Sequence, residues 1–272
     1  MHRTLTRRTA LALTATLALG LSACGGDEQA GGGENPTLRI GVSPVPHGEI
    51  LQEVADSLPE DAGYSVEIVE FTDYIQPNEA LEAGDLDANY FQHQPYLDEQ
   101  VQARGYDFEA LGPVHLEPLG LYSEQVDAPD ALGEDSEIAI PNDPSNGGRA
   151  LQLLADHGIL ELADTGDKAP TVDDVTSGPE ITELEAAQLP RSLGDVDAAV
   201  VNGNYAIEAD LSPKDDALAV EDAQDNPYAN LLVTTADRKD DEHLTKLLEA
   251  LQSQETEQFI DEQYDGAVIA AR

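Results

Sequence analysis

The sequence predicts a layered α/β protein of two domains, on three observations. From residue 38 onward, apolar strand-type runs alternate with helix-period runs at the spacing of βα units. The alternation breaks at Glu117-Pro118 and begins again near residue 137. A late apolar run, residues 230–235, is placed to return to the first domain once the second is complete. At 272 residues the chain also exceeds one average domain.

Residues 1–23 stand outside that pattern. Arg3, Arg7 and Arg8 form a basic head, residues 9–21 an apolar run, and Leu21-Ser22-Ala23-Cys24 closes it. The run is shorter than the ~20 residues needed to span a bilayer, so the segment reads as a secretory signal. Its ending resembles a bacterial lipobox, in which Cys24 becomes the lipidated first residue of the mature chain. Arg7-Arg8 leaves the twin-arginine route open beside general secretion. Residues 24–36 are then a flexible polar tether. Cys24 is the only cysteine, so neither an internal disulfide nor a multi-cysteine metal site is available.

Residues 1–23 contain three arginines and no acids, which leaves 10 Lys+Arg against 55 Asp+Glu and a net charge of −45. That balance argues against nucleic acid, because phosphate binding requires cations. Self-repulsion on this scale destabilises a compact state unless salt screens it. A salt-loving or alkaline-tolerant source is therefore expected.

The elements follow in order. Residues 38–42 make a buried first strand, and Pro44 and Pro46 keep the loop after it irregular. Ile50, Leu51, Val54 and Leu58 mark one face of the next helix. Residues 65–71 form a second strand, and Pro77 opens a short helix that Gly84 closes. Alternation through Leu86, Ala88 and Tyr90 gives a third strand, which runs into a helix beginning at Gln94-Pro95 with Gly105 as its C′ residue. Residues 108–115 are a strand, and residues 119–122 resume an extended run beyond the proline break. The second domain has strands at 137–140, 181–185 and 196–201, with a helix at 149–157 stopped by Gly158 and a helix start near Pro190-Arg191. A turn at 225–228, the strand at 230–235 and helices near 241–254 and 256–264 complete the chain. This alternation implies parallel sheets.

The segment 87–96, DANYFQHQPY, organises the reading for function. The chain has no Trp and only 5% aromatic residues, yet Tyr90, Phe91, His93 and Tyr96 fall together here. A strand running into a helix puts them at the carboxyl edge of a sheet, where open α/β sheets hold ligands. The second informative stretch is 142–149, NDPSNGGR. Its glycines are expected to free backbone amides at a helix N-terminus, an anion site. Arg149 there would be a cation at the disfavoured end of the helix dipole, suited to grip a carboxylate with two parallel hydrogen bonds. Pairing with one of the many acids is the other reading of Arg149, and Arg191 is a competing cation. Asn202 and Asn230 lie at strand ends, where their amides offer donor and acceptor to a zwitterion, or simply form turns. His47, His93 and His115, with Glu117 or Asp143, make an alternative metal set. No nucleophile-elbow, P-loop or zinc-protease motif is present, so an enzyme is not expected.

Six strings together resemble the NlpA/MetQ family of methionine-binding lipoproteins: GVSPVPH at 41–47, EFTDY at 70–74, DANYFQH at 87–93, IPND at 140–143, ELEAAQLPRS at 183–192 and VNGNY at 201–205. The resemblance implies a type II-like periplasmic-binding-protein clamshell of two discontinuous α/β domains joined by two crossovers. Residues 37–117 and 226–272 would form domain 1, and residues 118–225 domain 2. By similarity, Tyr74, Phe91, His93 and Tyr96 would line a side-chain pocket, and Arg149 would take an α-carboxylate. Asn202 and Asn230 would hold the amino-acid backbone, with Asn204 competing for the role of Asn202. The family implies methionine or a related amino acid as ligand and no cofactor. Its partners would be the permease and ATPase of a methionine ABC importer, and the membrane through lipid on Cys24. A metal receptor, an enzyme and a purely structural surface protein are the other readings at this point.

Overall fold

The computed structural model describes residues 35–224 and 226–272. The signal segment 1–23, Cys24 and the tether up to residue 34 lie outside the described residues. The chain runs through β1 (Thr37–Val42), α1 (Glu49–Ser57), β2 (Ser65–Glu70), α2 (Gln76–Glu82), β3 (Ala88–His93), α3 (Gln94–Arg104) and β4 (Phe108–Leu116). Beyond residues 117–119 come β5 (Gly120–Tyr122), β6 (Glu137–Pro141), α4 (Pro144–Asp156), β7 (Glu161–Leu162), β8 (Val175–Ser177) and β9 (Glu180–Leu184). Then follow α5 (Leu189–Ser192), β10 (Ala198–Val201), α6 (Gly203–Glu208) and β11 (Ala219–Val220). β12 (Asn230–Thr235), α7 (Glu242–Leu251), α8 (Gln254–Tyr264) and β13 (Ile269–Ala270) finish the chain.

These strands form two main sheets, one per lobe. The first has the order β13-β4-β12-β3-β1-β2 and the second β11-β5-β10-β6-β9, with β7 and β8 as a separate pair. Residues 117–119 form one crossover between lobes, and residues 221–224 and 226–229 belong to the other. The sheets are mixed rather than wholly parallel. β1 is parallel to β2 and β3, whereas β12 lies antiparallel between β3 and β4. The reason is connectivity. β12 arrives from the other lobe through a short crossover, enters at the carboxyl edge of the first sheet, and can only run back down it. β5 is antiparallel to β10 in the same way.

Each lobe has its own apolar core. Ile40, Val42, Ile50, Leu51, Leu244, Leu247 and Ile260 are fully buried in the first, and Leu121, Ile138, Ile140, Leu154 and Val200 in the second. Burying each such side chain stabilises by ~1.5–3 kcal/mol. α1 turns Ile50, Leu51 and Val54 inward, as their spacing requires. β3 is buried along its whole length, so the alternation expected there is absent; a central strand with packed layers on both sides has no wet face.

Two local expectations are corrected. Residues Pro44–Gly48 coil into one wide helical turn, with Val45 extended inside it, and feed directly into α1. More consequentially, α4 starts at Pro144, five residues earlier than its glycines suggested. Asp143 caps it by accepting from the Asn146 backbone N–H at 2.8 Å. Gly147 and Gly148 are inside the helix, where a Cβ on Gly147 would meet the Pro141 carbonyl at 2.8 Å and one on Gly148 would meet Ala169 at 3.0 Å. Close packing, not loop formation, is what demands glycine there.

Candidate functional site

Strand register gathers the polar residues of the first lobe at one edge. Asn230, the first residue of β12, pairs across to His93 on β3 and to His115 on β4. His47 follows β1, and Glu117 follows β4. A cavity of about 20 Å³ opens at this edge, facing the second lobe. It is lined from the first lobe by Tyr74, Phe91, His93, Tyr96 and Asn230, and from the second by Arg149 and Asn202. The structure thus brings these seven residues to one place. Arg191 is not among them and is exposed on α5.

The aromatic residues form a triangle. Ring centroids lie 6.0 Å apart for Tyr74–Phe91, 6.0 Å for Tyr74–Tyr96 and 6.1 Å for Phe91–Tyr96. Tyr96 meets both other rings edge-to-face, at 67° to Tyr74 and 78° to Phe91, while Tyr74 and Phe91 are tilted by 38°. Tyr96 is fixed by donating from its hydroxyl to the Tyr74 carbonyl at 2.9 Å.

Arg149 is 5% exposed and sits in the second turn of α4. Its Nε and Nη2 donate to the two carboxylate oxygens of Glu221 at 2.8 and 2.5 Å, and Nη2 also donates to the Glu117 carbonyl at 3.0 Å. The Tyr228 ring lies 4.2 Å from the guanidinium carbon, a cation–π contact. The paired edge of the guanidinium is therefore engaged by Glu221, and Nη1 is the nitrogen without a described protein partner. Nor is the N-terminus of α4 open to an anion, as its glycines had suggested. Asp143 takes the Asn146 amide, and Glu99 of α3 takes the Ser145 amide at 3.2 Å.

Glu117 is the main residue that family likeness did not place in the pocket. It is 5% exposed, and its carboxylate lines the cavity. His115 Nε2 donates to Glu117 Oε1 at 2.6 Å, which leaves His115 Nδ1 to accept from the Tyr90 hydroxyl. Asn230 Nδ2 approaches Oε1 at 3.4 Å, and the Asn204 backbone N–H bonds the same carboxylate from the other lobe. A Cβ on Gly203 would collide with Glu117 Cβ at 2.5 Å, so glycine is needed for this approach. Burial raises the Glu117 carboxyl, with His47 and Arg149 opposing that shift. A glutamate immediately before a proline break at a sheet edge was the available signal for it.

The three-histidine metal set does not form. His93 Nδ1 accepts from the Tyr96 backbone N–H at 3.2 Å, so Nε2 carries the proton and donates to Asn146 Oδ1 at 3.0 Å. Both of its nitrogens are occupied, and its ring packs 5.0 Å from Tyr228. His47 and His115 do converge with Glu117, their potential ligand atoms lying within 4.8 Å of one another. Both nitrogens of His115 are nonetheless committed to hydrogen bonds. Burial holds His47 at about 4 and His115 at about 3, so both are neutral near pH 7 and contact Glu117 as imidazoles, not as ion pairs.

The two amides at the start of α6 divide their work. Asn202 Nδ2 donates to Asn146 Oδ1 at 3.0 Å, while Asn202 Oδ1 is buried without a partner at the cavity. Asn204 Oδ1 instead accepts from the Tyr74 hydroxyl at 2.5 Å, across the lobes. A buried unpaired acceptor beside a buried carboxylate favours a cationic donor. The Arg149 guanidinium, which also lines the cavity, favours an anion. The cavity therefore offers groups for both charges of a small zwitterion, together with aromatic rings.

Two α/β lobes linked by two crossovers, closed over a buried cleft of this kind, define a clamshell substrate-binding protein. The NlpA lipoprotein family model matches residues 38–272, and the chain belongs to that family. It is 42% identical over 257 residues to the D-methionine-binding lipoprotein MetQ of Escherichia coli K12, covering 92% of this chain and 93% of the relative. A nutrient-binding protein of Burkholderia cenocepacia, solved bound to methionine, is 44% identical with a TM-score of 0.81, covering 86% of this chain and 100% of that one. A periplasmic substrate-binding protein of an ABC transporter from Coxiella burnetii is 40% identical with a TM-score of 0.81, again covering 86% and 100%.

Proposed function

We propose that this chain is a lipid-anchored, extracytoplasmic receptor that holds methionine, or a close analogue, for the permease and ATPase of an ABC importer. The observation carrying this reading is the meeting of Arg149 and the Tyr74–Phe91–Tyr96 triangle, from opposite lobes, on one cavity. The methionine-bound relative of the same fold supports it.

In this reading the ligand carboxylate meets Arg149 Nη1 and the ammonium meets Glu117 and Asn202 Oδ1. Asn230 orients Glu117, His93 ties the lobes, and the thioether lies among the rings. Burying a methionine side chain contributes ~1.5–3 kcal/mol, and sulfur against ring edges adds ~0.3–1.5 kcal/mol. A cavity of about 20 Å³ is water-sized, so an amino acid enters only when lobes and rings move apart, then closes them by bridging both walls. The lobes part at the crossovers, beyond Glu117 in the first and before Asn226 in the second. Ligand is held, not turned over. Among the described residues no helix is long and apolar enough to cross a membrane; attachment is through lipid on Cys24.

Thermal-shift assays and calorimetry with L-methionine, D-methionine, methionyl dipeptides, L-leucine and Zn²⁺ test this. A methionine compound at a hundred times its Kd stabilises by about 2.7 kcal/mol, roughly 5–10 °C for a chain of this size, and is recovered unchanged. A shift with Zn²⁺ alone, or with none of these, overturns the reading.

A further inference from the structure

Arg149 is bound to both crossovers at once. Its Nη2 donates to the carbonyl of Glu117 in the first, and its Nε and Nη2 grip Glu221 in the second. Glu221 in turn clips the crossovers together. Its backbone N–H donates to the Leu119 carbonyl at 2.9 Å, and its Oε2 accepts from the Leu119 N–H at 3.2 Å. Tyr228, also in the second crossover, closes the guanidinium face. Glu221 itself is not among the residues lining the cavity; it lies on the far side of Arg149, in a separate surface groove that Arg149 and Tyr228 also line.

Such an arrangement has a chemical consequence. Guanidinium recognises a carboxylate best through a paired edge. Glu221 occupies the Nε/Nη2 edge and so leaves Nη1 as the guanidinium nitrogen without a described protein partner. A ligand anion is then met by a guanidinium that cannot rotate, because any rotation breaks two charge-assisted bonds. We infer that Glu221 is the positioning residue for ligand recognition: it aims Arg149 Nη1 at the ligand's free carboxylate and thereby makes the site discriminate amino acids from their carboxylate-blocked derivatives. This rests on the reading in which Arg149 receives the ligand carboxylate.

Calorimetry with L-methionine and L-methioninamide on the wild type, Glu221→Gln and Glu221→Asp tests it, with melting of each free protein as the fold control. The wild type should prefer methionine over the amide by about tenfold or more, the scale of a lost hydrogen bond to a charged group. Glu221→Gln should shrink that preference by at least about fivefold, chiefly by weakening methionine while changing the amide little. Glu221→Asp, which keeps the charge with a shorter reach, should fall between the two. Equal loss of affinity for both compounds, or no change for either, overturns the inference and leaves Glu221 a crossover staple. A wild type that binds both compounds equally overturns the carboxylate reading of Arg149 itself, and the positioning role with it.

Discussion

Across the closed cleft, His93 Nε2 donates to Asn146 Oδ1 at 3.0 Å. The same oxygen accepts from Asn202 Nδ2 at 3.0 Å, and Asn146 Nδ2 donates to Asp143 at 2.9 and 3.1 Å. One buried amide thus joins the lobes and directs the free oxygen of Asn202 into the cavity. Replacing it by Asn146→Ala strands the His93 and Asn202 donors. With each hydrogen bond contributing ~0.5–1.5 kcal/mol, methionine affinity should fall about 5- to 100-fold in calorimetry. Affinity within twofold of wild type would remove Asn146 from the closure mechanism.

The Arg149–Glu221 pair changes what Arg149→Ala should do. Side-chain exposure is only 4% and 14% for the two partners, so deleting the cation leaves a largely buried carboxylate unpaired. Breaking a buried pair costs ~3–5 kcal/mol, and the partial exposure of Glu221 moves the expectation to the lower end. The free protein should melt several degrees lower in addition to losing methionine binding. Arg149→Ala combined with Glu221→Ala should recover part of the melting temperature but none of the affinity. Recovery of binding in the double variant would contradict the role given to Arg149.

How far the site could be read from residues alone depended on how local its causes are. The aromatic run ending in His93-Gln94-Pro95-Tyr96 was legible because a strand, an N-cap and a proline-started helix are all set by neighbours in sequence. Asn230 was legible as a strand end, but its place beside His93 and His115 was not, because β12 enters between β3 and β4 from the other lobe. Arg149 stood out by scarcity. Its partner Glu221 is one acid among 55 and lies 72 residues away, with nothing local to mark it. The start of α4 was misplaced because glycine looks the same whether it frees a loop or admits a close neighbour.

Three buried imidazoles make acid stability a test of the cleft. Burial holds His47 at about 4, and His93 and His115 at about 3, against an ordinary value of 6.5. Between those limits the unfolded chain binds protons that the folded chain refuses, so stability falls as pH drops from about 6.5 toward 4. Glu117, Glu99 and Asp143 are raised by burial and work in the opposite sense just above their ordinary 4.5 and 3.8, so the histidine effect is read most cleanly nearest pH 6.5. Urea midpoints measured at pH 7.5, 6 and 5 should decline steadily, and His115→Gln should flatten the slope by about one proton. A midpoint that rises on acidification from pH 6.5 to 5 would contradict the buried, neutral state of these rings.

Salt should act against acid-driven repulsion. The chain carries a formal charge of −42, or −45 without residues 1–23, and its exposed cations are too few to pair more than a small share of the acids. Arg39–Glu67 and Lys214–Asp265 are such surface pairs, both largely solvated, and pairs of that kind contribute ~0–1 kcal/mol. Screening weakens these few attractions and the many repulsions together, so the sign of the response follows the majority. The Debye length shortens from about 10 Å at 0.1 M salt to about 3 Å at 1 M, which removes most repulsion between neighbouring surface carboxylates. The melting temperature should therefore climb from low to molar potassium chloride, by more than it does in a variant with several exposed acids replaced by their amides. If the wild type melts at the same or a lower temperature in molar salt, charge crowding is not what limits this fold.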